Sequence, residues 1–349
     1  MTHRGIVSPM ILVTGATGFI GRRVIARLHG NGHRVRALVL PGEDVSGVLA
    51  PTTHDAAHSA DPRNATEIVR GDIRDTATVR TAARGVSHII HLAAVVSDWG
   101  DDAVFHAINV GGTRNILDAA AGENCQRVLM VSSVVVYGWQ LRSRQCHEDS
   151  PRQRGVGPYS RTKSESEELA LTYHRQGRVP VTIVRPGNVY GPGSPNWVDE
   201  IVSLLGAGSL VMIGDGSGDA SLAYVDNVVD VIVRATMHPH SAGKIYNAND
   251  GSGVSWRQYF HDLARLIDVR PPRRSIPLPV ARALAITMER SFKLLRRTRR
   301  PLLTTEAVVL ISSRHPVPIR RAVDELDYQP ISYDDAMKSV AAYLNGVES

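Results

Sequence analysis

Cysteine is nearly missing from this chain of 349 residues: Cys125 and Cys146 stand alone, in no CxxC pair and no His/Cys cluster. That excludes a disulfide framework and leaves no ligand set for a metal, so no metal is expected. Aromatic residues make up 5% of the chain, too few for the stacking surfaces that hold single-stranded nucleic acid. No apolar run reaches bilayer-spanning length, and Met1 to Met10 is polar around Arg4, without the apolar stretch of a signal peptide. The expected location is therefore cytoplasmic. Internal repeats and coiled-coil heptads are absent too. What remains is 43% apolar and 21% charged, enough to bury a sizeable core. The formal charge of +6 suits anionic small molecules and does not require nucleic acid.

The first half alternates short apolar runs with helical periods. MILVT (10–14) reads as a strand, Phe19 to Leu28 as a helix stopped by Gly30 and Gly32, and Arg34 to Leu40 as a second strand. Residues 41–65 show no period and read as a long surface loop. Strands follow at 68–69, 88–92, 128–131 and 181–184. Helices are expected at 76–83, 102–121 and 159–173. Continuously apolar strands between helices indicate a parallel sheet covered on both faces. After Arg185 prolines and glycines become frequent and the strict alternation ends. Further helices are expected at about 223–235 and 255–267.

Chemistry enters at GATGFIG (15–21), between the first strand and its helix. Gly15 permits a tight turn, Gly18 lets the backbone approach a pyrophosphate, and Gly21 lets the helix pack on the strand. The helix N-terminus offers free N–H groups and the positive end of a dipole. Asp72, after the third strand, is placed to accept from an adenine amino group. Tyr159 and Lys163 lie four apart on one helix face. A nearby ammonium is expected to favour the phenolate and lower the pKa of the phenol, so that Tyr159 exchanges a proton with a substrate hydroxyl or carbonyl. Ser133 ends a parallel strand, where open α/β sheets place their ligands.

Seven segments, TGATGFIG (14–21), GDIRD (71–75), HLAA (91–94), NVGGTRN (109–115), VSSVVVYG (131–138), PYSRTKSESEE (158–168) and RPGNVYGPG (185–193), resemble the extended short-chain dehydrogenases/reductases, in that family's order. The resemblance implies an α/β Rossmann fold: a doubly wound parallel sheet with a smaller C-terminal α+β substrate lobe. The NAD(P)-binding domain would span 10–185, with segments at about 220–248 returning to it. The lobe would comprise 186–219 and 249–345. The implied catalytic residues are Ser133, Tyr159 and Lys163. Cofactor contacts are expected from Gly15, Thr17, Gly18, Phe19, Ile20, Gly21, Arg22, Arg36, Asp72, Ile73, Leu92, Ala93, Ala94, Asn109, Tyr159, Lys163, Pro186, Gly187 and Val189. Val134 and Asn188 would meet the substrate.

Departures from the family's pattern narrow the reading. Nucleotide-sugar dehydratases carry an Asp-Glu pair after the serine, where this chain has Val134-Val135. The epimerases carry a diphosphate-binding arginine at the position of Ala220, in GDASLAYVDN. YVDNVVD (224–230), IPLPVARALA (276–285) and RPLLTTEAV (300–308) resemble the 3β-hydroxysteroid dehydrogenase-like branch instead. The implied activity is hydride transfer between nicotinamide and a ketone or secondary alcohol of an apolar steroid-, polyketide- or β-keto-type substrate. A nucleotide-sugar epimerase or 4-ketoreductase, favoured by Asn188, and a non-catalytic NAD(P)-binding regulator are the alternatives. No acid ends the second strand near Val39, Glu43 and Asp44 lie farther on, and Arg22, Arg23 and Arg36 are at hand. This favours NADP(H), with NAD(H) as the alternative. Homodimerisation is common in the family. Arg290, Lys293, Arg296, Arg297, Arg299 and Arg300 follow an apolar segment. A solvated helix end is the leading reading there, and peripheral contact with anionic lipid the weaker one.

Overall fold

A computed structural model describes residues 9–49 and 65–346. Seven parallel strands form the central sheet in the order β10-β6-β5-β4-β1-β2-β3. They are β1 (Met10–Thr14), β2 (Arg34–Val39), β3 (Glu67–Arg70), β4 (His88–His91), β5 (Arg127–Val131), β6 (Val181–Pro186) and β10 (Ile245–Ala248). The order reverses between β1 and β4, which opens a crevice at their C-terminal ends. Two small parallel pairs lie outside the sheet: β7 (Asn188–Tyr190) with β9 (Leu222–Tyr224), and β8 (Met212–Ile213) with β11 (Ser275–Ile276).

Helices cover both faces because the central strands are apolar on both. On one face Val24, Ile25 and Leu28 of the helix Phe19–Gly30 pack with Val228, Val231 and Ile232 of the helix Val225–Met237. On the other, Val79, Ile116, Leu117, Ala170 and Tyr173 pack over Leu12, Ile89 and Val128. A third core, around Tyr190, Trp256, Tyr259 and Phe260, belongs to the later part of the chain.

Local differences from the sequence reading have physical causes. The helix expected over 102–121 is three joined pieces: Asp102–Phe105, a wider π-helical turn His106–Gly112, and Thr113–Gly122. π-Helical turns concentrate at functional sites, and this one carries Asn109. Within the loop expected at 41–65, Ser46–Leu49 is helical, and residues 50–64 lie outside the described residues. The apolar-then-basic stretch is the helix Leu278–Leu294 and the turn that follows it.

Candidate active site

The glycine turn has no room for side chains. Gly15 sits at φ +67°, and a Cβ there would stand 2.8 Å from the backbone nitrogen of Ala93. A Cβ on Gly21 would stand 2.1 Å from the Gly15 carbonyl oxygen. The first helix thus packs directly on the turn, with Gly18 as its N-cap, no capping side chain and no acid in its first turn. The N–H groups at this end are free to meet an anion, so the cradle fits a dinucleotide pyrophosphate. β4 is held beside it: Thr14 Oγ1 lies 2.8 Å from His91 Nδ1, and the N–H of Ala93 donates to Thr14 Oγ1 at 3.2 Å. His91 is enclosed, and burial pushes its imidazole down to about 3, so it stays neutral.

At the end of β5 the chain turns through Ser132 and Ser133. The Ser133 hydroxyl accepts the N–H of Val135 at 3.3 Å, starting a short 3-10 turn over Val134–Tyr137. Across from it runs the helix Pro158–Arg175, with proline at its first position, where no N–H is needed. Lys163 is buried and donates to the carbonyl of Val131 at 2.8 Å. Its ammonium lies 5.8 Å from the centre of the Tyr159 ring. Desolvation lowers Lys163 to about 8, with the charge of Glu167 opposing the fall. The Tyr159 phenol is pushed up, first by desolvation and then by the charge of Glu306, while the neighbouring Ser133 hydroxyl pulls it down. This corrects the expectation of a lowered phenol: the desolvating environment and the nearby carboxylate outweigh the stabilising groups.

Asn109 ties three elements together. Its side chain accepts from the N–H of Val95 at 2.8 Å, and its amide donates to the Val95 carbonyl at 3.2 Å and to Thr162 Oγ1 at 3.0 Å. It fixes the loop after β4 against the helix Pro158–Arg175. Gly187 lies so close to Ser221 that a Cβ would meet its carbonyl oxygen at 2.1 Å. Phe19 and Ile20 pack towards the third core, and Leu92, Ala93 and Ala94 remain partly accessible beside the glycines. Residues 11–248 match the description "NAD dependent epimerase/dehydratase family".

The chain belongs to that family.

It is an NAD-dependent oxidoreductase of the extended short-chain type. It is 27% identical over 343 residues to 3beta-hydroxysteroid-dehydrogenase/decarboxylase isoform 1 of Arabidopsis thaliana, covering 92% of this chain and 76% of the relative. It is 25% identical over 352 residues to the 2-alkyl-3-oxoalkanoate reductase of Stenotrophomonas maltophilia, covering 95% and 98%. Among solved structures it resembles DesIV, a dTDP-glucose 4,6-dehydratase of Streptomyces venezuelae with NAD and TYD bound. There the TM-score is 0.74 at 25% identity, over 97% of each chain.

Measured against that epimerase/dehydratase family pattern, several sequence candidates are engaged elsewhere. The guanidinium of Arg36 donates to the carbonyls of Ala82 and Arg84 and pairs with Glu67 at 2.9 Å. Arg23 pairs with Asp226 at 2.9 Å. Arg22 stays at the turn, donating to the Thr17 carbonyl at 2.7 Å. Asp72 is held by Arg74 at 2.6 Å, which keeps its carboxyl below the usual range. Ile73 is buried under Gly112. Asn188 gives its amide to the carbonyl of Ala220 at 2.7 Å. Val134 is buried with Tyr137, Leu141 and Val317. Pro186 ends β6 opposite Ala248, and Val189 packs between two cores.

Sequence reasoning set one carboxylate of this family member aside as too far along the chain, Glu43, and missed two more. Glu43 folds back from beyond β2, accepting from Thr17 Oγ1 at 2.9 Å and from the N–H of Leu40 at 3.0 Å. Glu167, fully buried, takes a two-pronged bond from Arg185 at 2.9 and 2.6 Å, anchoring the helix Pro158–Arg175 to β6. The adjacency of Glu167 to Lys163 on the helix, one turn on, was the available signal. Glu306 reaches the start of the same helix from the C-terminal part. No local pattern announces it. Among the described residues no group of three His, Cys, Asp or Glu is placed to hold a metal.

Proposed function

We propose that the protein transfers a hydride between a nicotinamide cofactor and the carbon of a ketone or secondary alcohol in an apolar substrate. The carrying observation is the convergence of Ser133, Tyr159 and Lys163 at the end of β5, where valines and no carboxylate follow the serine. A bound nicotinamide supplies the hydride in reduction or takes it in oxidation. Ser133 hydrogen-bonds the substrate oxygen. In reduction Tyr159 gives its proton to that oxygen as the C–O bond gains two electrons at carbon, and in oxidation the same proton returns to the phenolate. Lys163 carries the positive charge that stabilises the phenolate and serves the nicotinamide ribose.

The valines behind Ser133 cannot perform the proton transfers of a dehydration, and Ala220 offers no bidentate partner for a diphosphate. Asn188, the residue that favoured a sugar nucleotide, has its amide committed to Ala220. These points support the ketone reading over the nucleotide-sugar one, and the relatives named as a hydroxysteroid dehydrogenase and an oxoalkanoate reductase support it too. The intact Tyr159 and Lys163 argue against a non-catalytic regulator. Residues 10–185 with 220–248 would serve as the cofactor domain and the remainder as the substrate lobe.

The cofactor preference follows the carboxylate at the turn. Glu43 beside Thr17 suits a ribose diol and repels a 2′-phosphate, while Arg36 and Arg23 are paired away. The reading is therefore NAD(H), against the NADP(H) favoured from sequence. A substrate screen with NADH and NADPH across sterol ketones, β-keto acids and nucleotide sugars tests the whole assignment. Turnover confined to nucleotide sugars overturns it.

A further inference from the structure

The helix Leu278–Leu294 runs out into a basic, leucine-bearing tip that no other part of the described chain covers. Leu294 is 85% exposed, Leu295 61% and Leu302 80%. Val280 and Leu284, four apart on one face of the helix, are exposed as well. The chain then doubles back: the N–H of Thr305 donates to Glu289 at 2.7 Å, so residues 294–302 form the end of a hairpin. Around these leucines stand Arg290, Lys293, Arg296, Arg297 and Arg299, all exposed, and none of the five pairs with a carboxylate among the described residues. No acidic residue occurs from Arg290 to Thr305.

We propose that this tip docks on the anionic surface of a lipid bilayer. Leucines inserted at the headgroup level among arginines that meet lipid phosphates give each side chain its preferred surroundings. A second copy of the chain is a poor occupant, because a self-complementary contact would set these arginines against their own counterparts. Nucleic acid would satisfy the charge and leave the leucines in water.

The tip adjoins the active site. Phe292 meets Trp99 edge to face at 6.2 Å, the Lys293 ammonium lies over the Trp99 ring, and Arg300 clasps Asp98 at 2.5 Å. Trp99 and Asp98 belong to the loop that leaves β4 beside the glycine turn. Docking therefore brings that loop to the bilayer, which suits the apolar ketone proposed above, although the docking itself does not depend on that reading.

The test is co-sedimentation of the full chain with vesicles of phosphatidylcholine alone, or of phosphatidylcholine and phosphatidylglycerol in equal parts, at physiological salt. Pelleting is expected on the anionic vesicles only. Joint replacement Leu294→Ser, Leu295→Ser and Leu302→Ser should cut it by about tenfold or more. Each of Arg290→Gln, Arg296→Gln and Arg299→Gln should cut it about fivefold. Circular dichroism melts establish that these surface variants are folded. Absence of pelleting on anionic vesicles overturns the proposal. So does pelleting that survives the leucine changes, or wild-type retention by duplex DNA in preference to the vesicles.

Discussion

Glu306 caps the helix that carries Tyr159, accepting the backbone N–H of Ser160 at 3.1 Å and its hydroxyl at 3.2 Å from 146 positions down the chain. The helix's own N-cap, Gly157, has no side chain to do this, and a Cβ there would stand 1.9 Å from the Glu306 carboxylate. The C-terminal part thus completes the N-terminus of the helix Pro158–Arg175. Thr304 and Arg300 reinforce the join through Asp98.

Burial, the charge of Asp98 and opposing bonds from Ser160 leave Glu306 raised to about 8, above its ordinary 4.5. Between those values the folded protein binds the proton more tightly than the unfolded chain. Stability is therefore greatest on the acid side and falls as pH rises through 8. Melting temperatures across pH 5 to 9 should decline more steeply for wild type than for Glu306→Gln, which keeps an acceptor for Ser160. Equal slopes would refute the raised carboxyl. Glu306→Ala should lose about 1 kcal/mol on the acid side, the ordinary worth of a cap, and that deficit should shrink as pH rises through 8.

Tyr159→Phe should abolish turnover and leave NADH binding, followed by nicotinamide fluorescence, unchanged. Retained turnover would remove Tyr159 from the mechanism.

Lys163 titrates at about 8, so its positive charge is present below that pH and lost above it. Cofactor affinity should weaken as pH rises past 8 in wild type. In Lys163→Met it should be weaker throughout and flat with pH. Fluorescence titration with NADH at pH 6.5 and 9.5 distinguishes the two profiles.

Gly21→Ala places a methyl within 2.1 Å of one carbonyl oxygen and 2.8 Å of another, both backbone. Neither can swing aside as a side chain would. A loss of about 1 to 3 kcal/mol in stability is expected from overpacking, together with loss of cofactor binding. Urea unfolding and fluorescence titration measure the two effects separately.

Glu43→Gln should shift the ratio of kcat/KM for NADPH over NADH upward by about tenfold, as one unfavourable charge contact is removed from the site of a 2′-phosphate. An unchanged ratio would show that Glu43 does not face the ribose.

The strand MILVT, the spaced glycines and the Tyr159–Lys163 pair were legible because each is a local pattern: a run, a turn, a helical repeat. Ser133 was legible by its place at a strand end. The π-helical turn around Asn109 was not, since its side-chain bonds to Val95 and Thr162 and not its periodicity locate that asparagine. Arg36 looked available to a phosphate because sequence does not show that Ala82, Arg84 and Glu67 surround its guanidinium.

The sequence by itself determined the strands of the parallel sheet, the glycine turn after β1 and the helical spacing of Tyr159 and Lys163, each of which depends on residues within a few positions of one another. Only the tertiary structure decided their electrostatics. It buried Lys163 against Val131, brought Glu306 to Ser160 and folded Glu43 onto Thr17. Those placements set proton affinities and put a carboxylate at the glycine turn, because desolvation and charge act through space, whatever the separation along the chain.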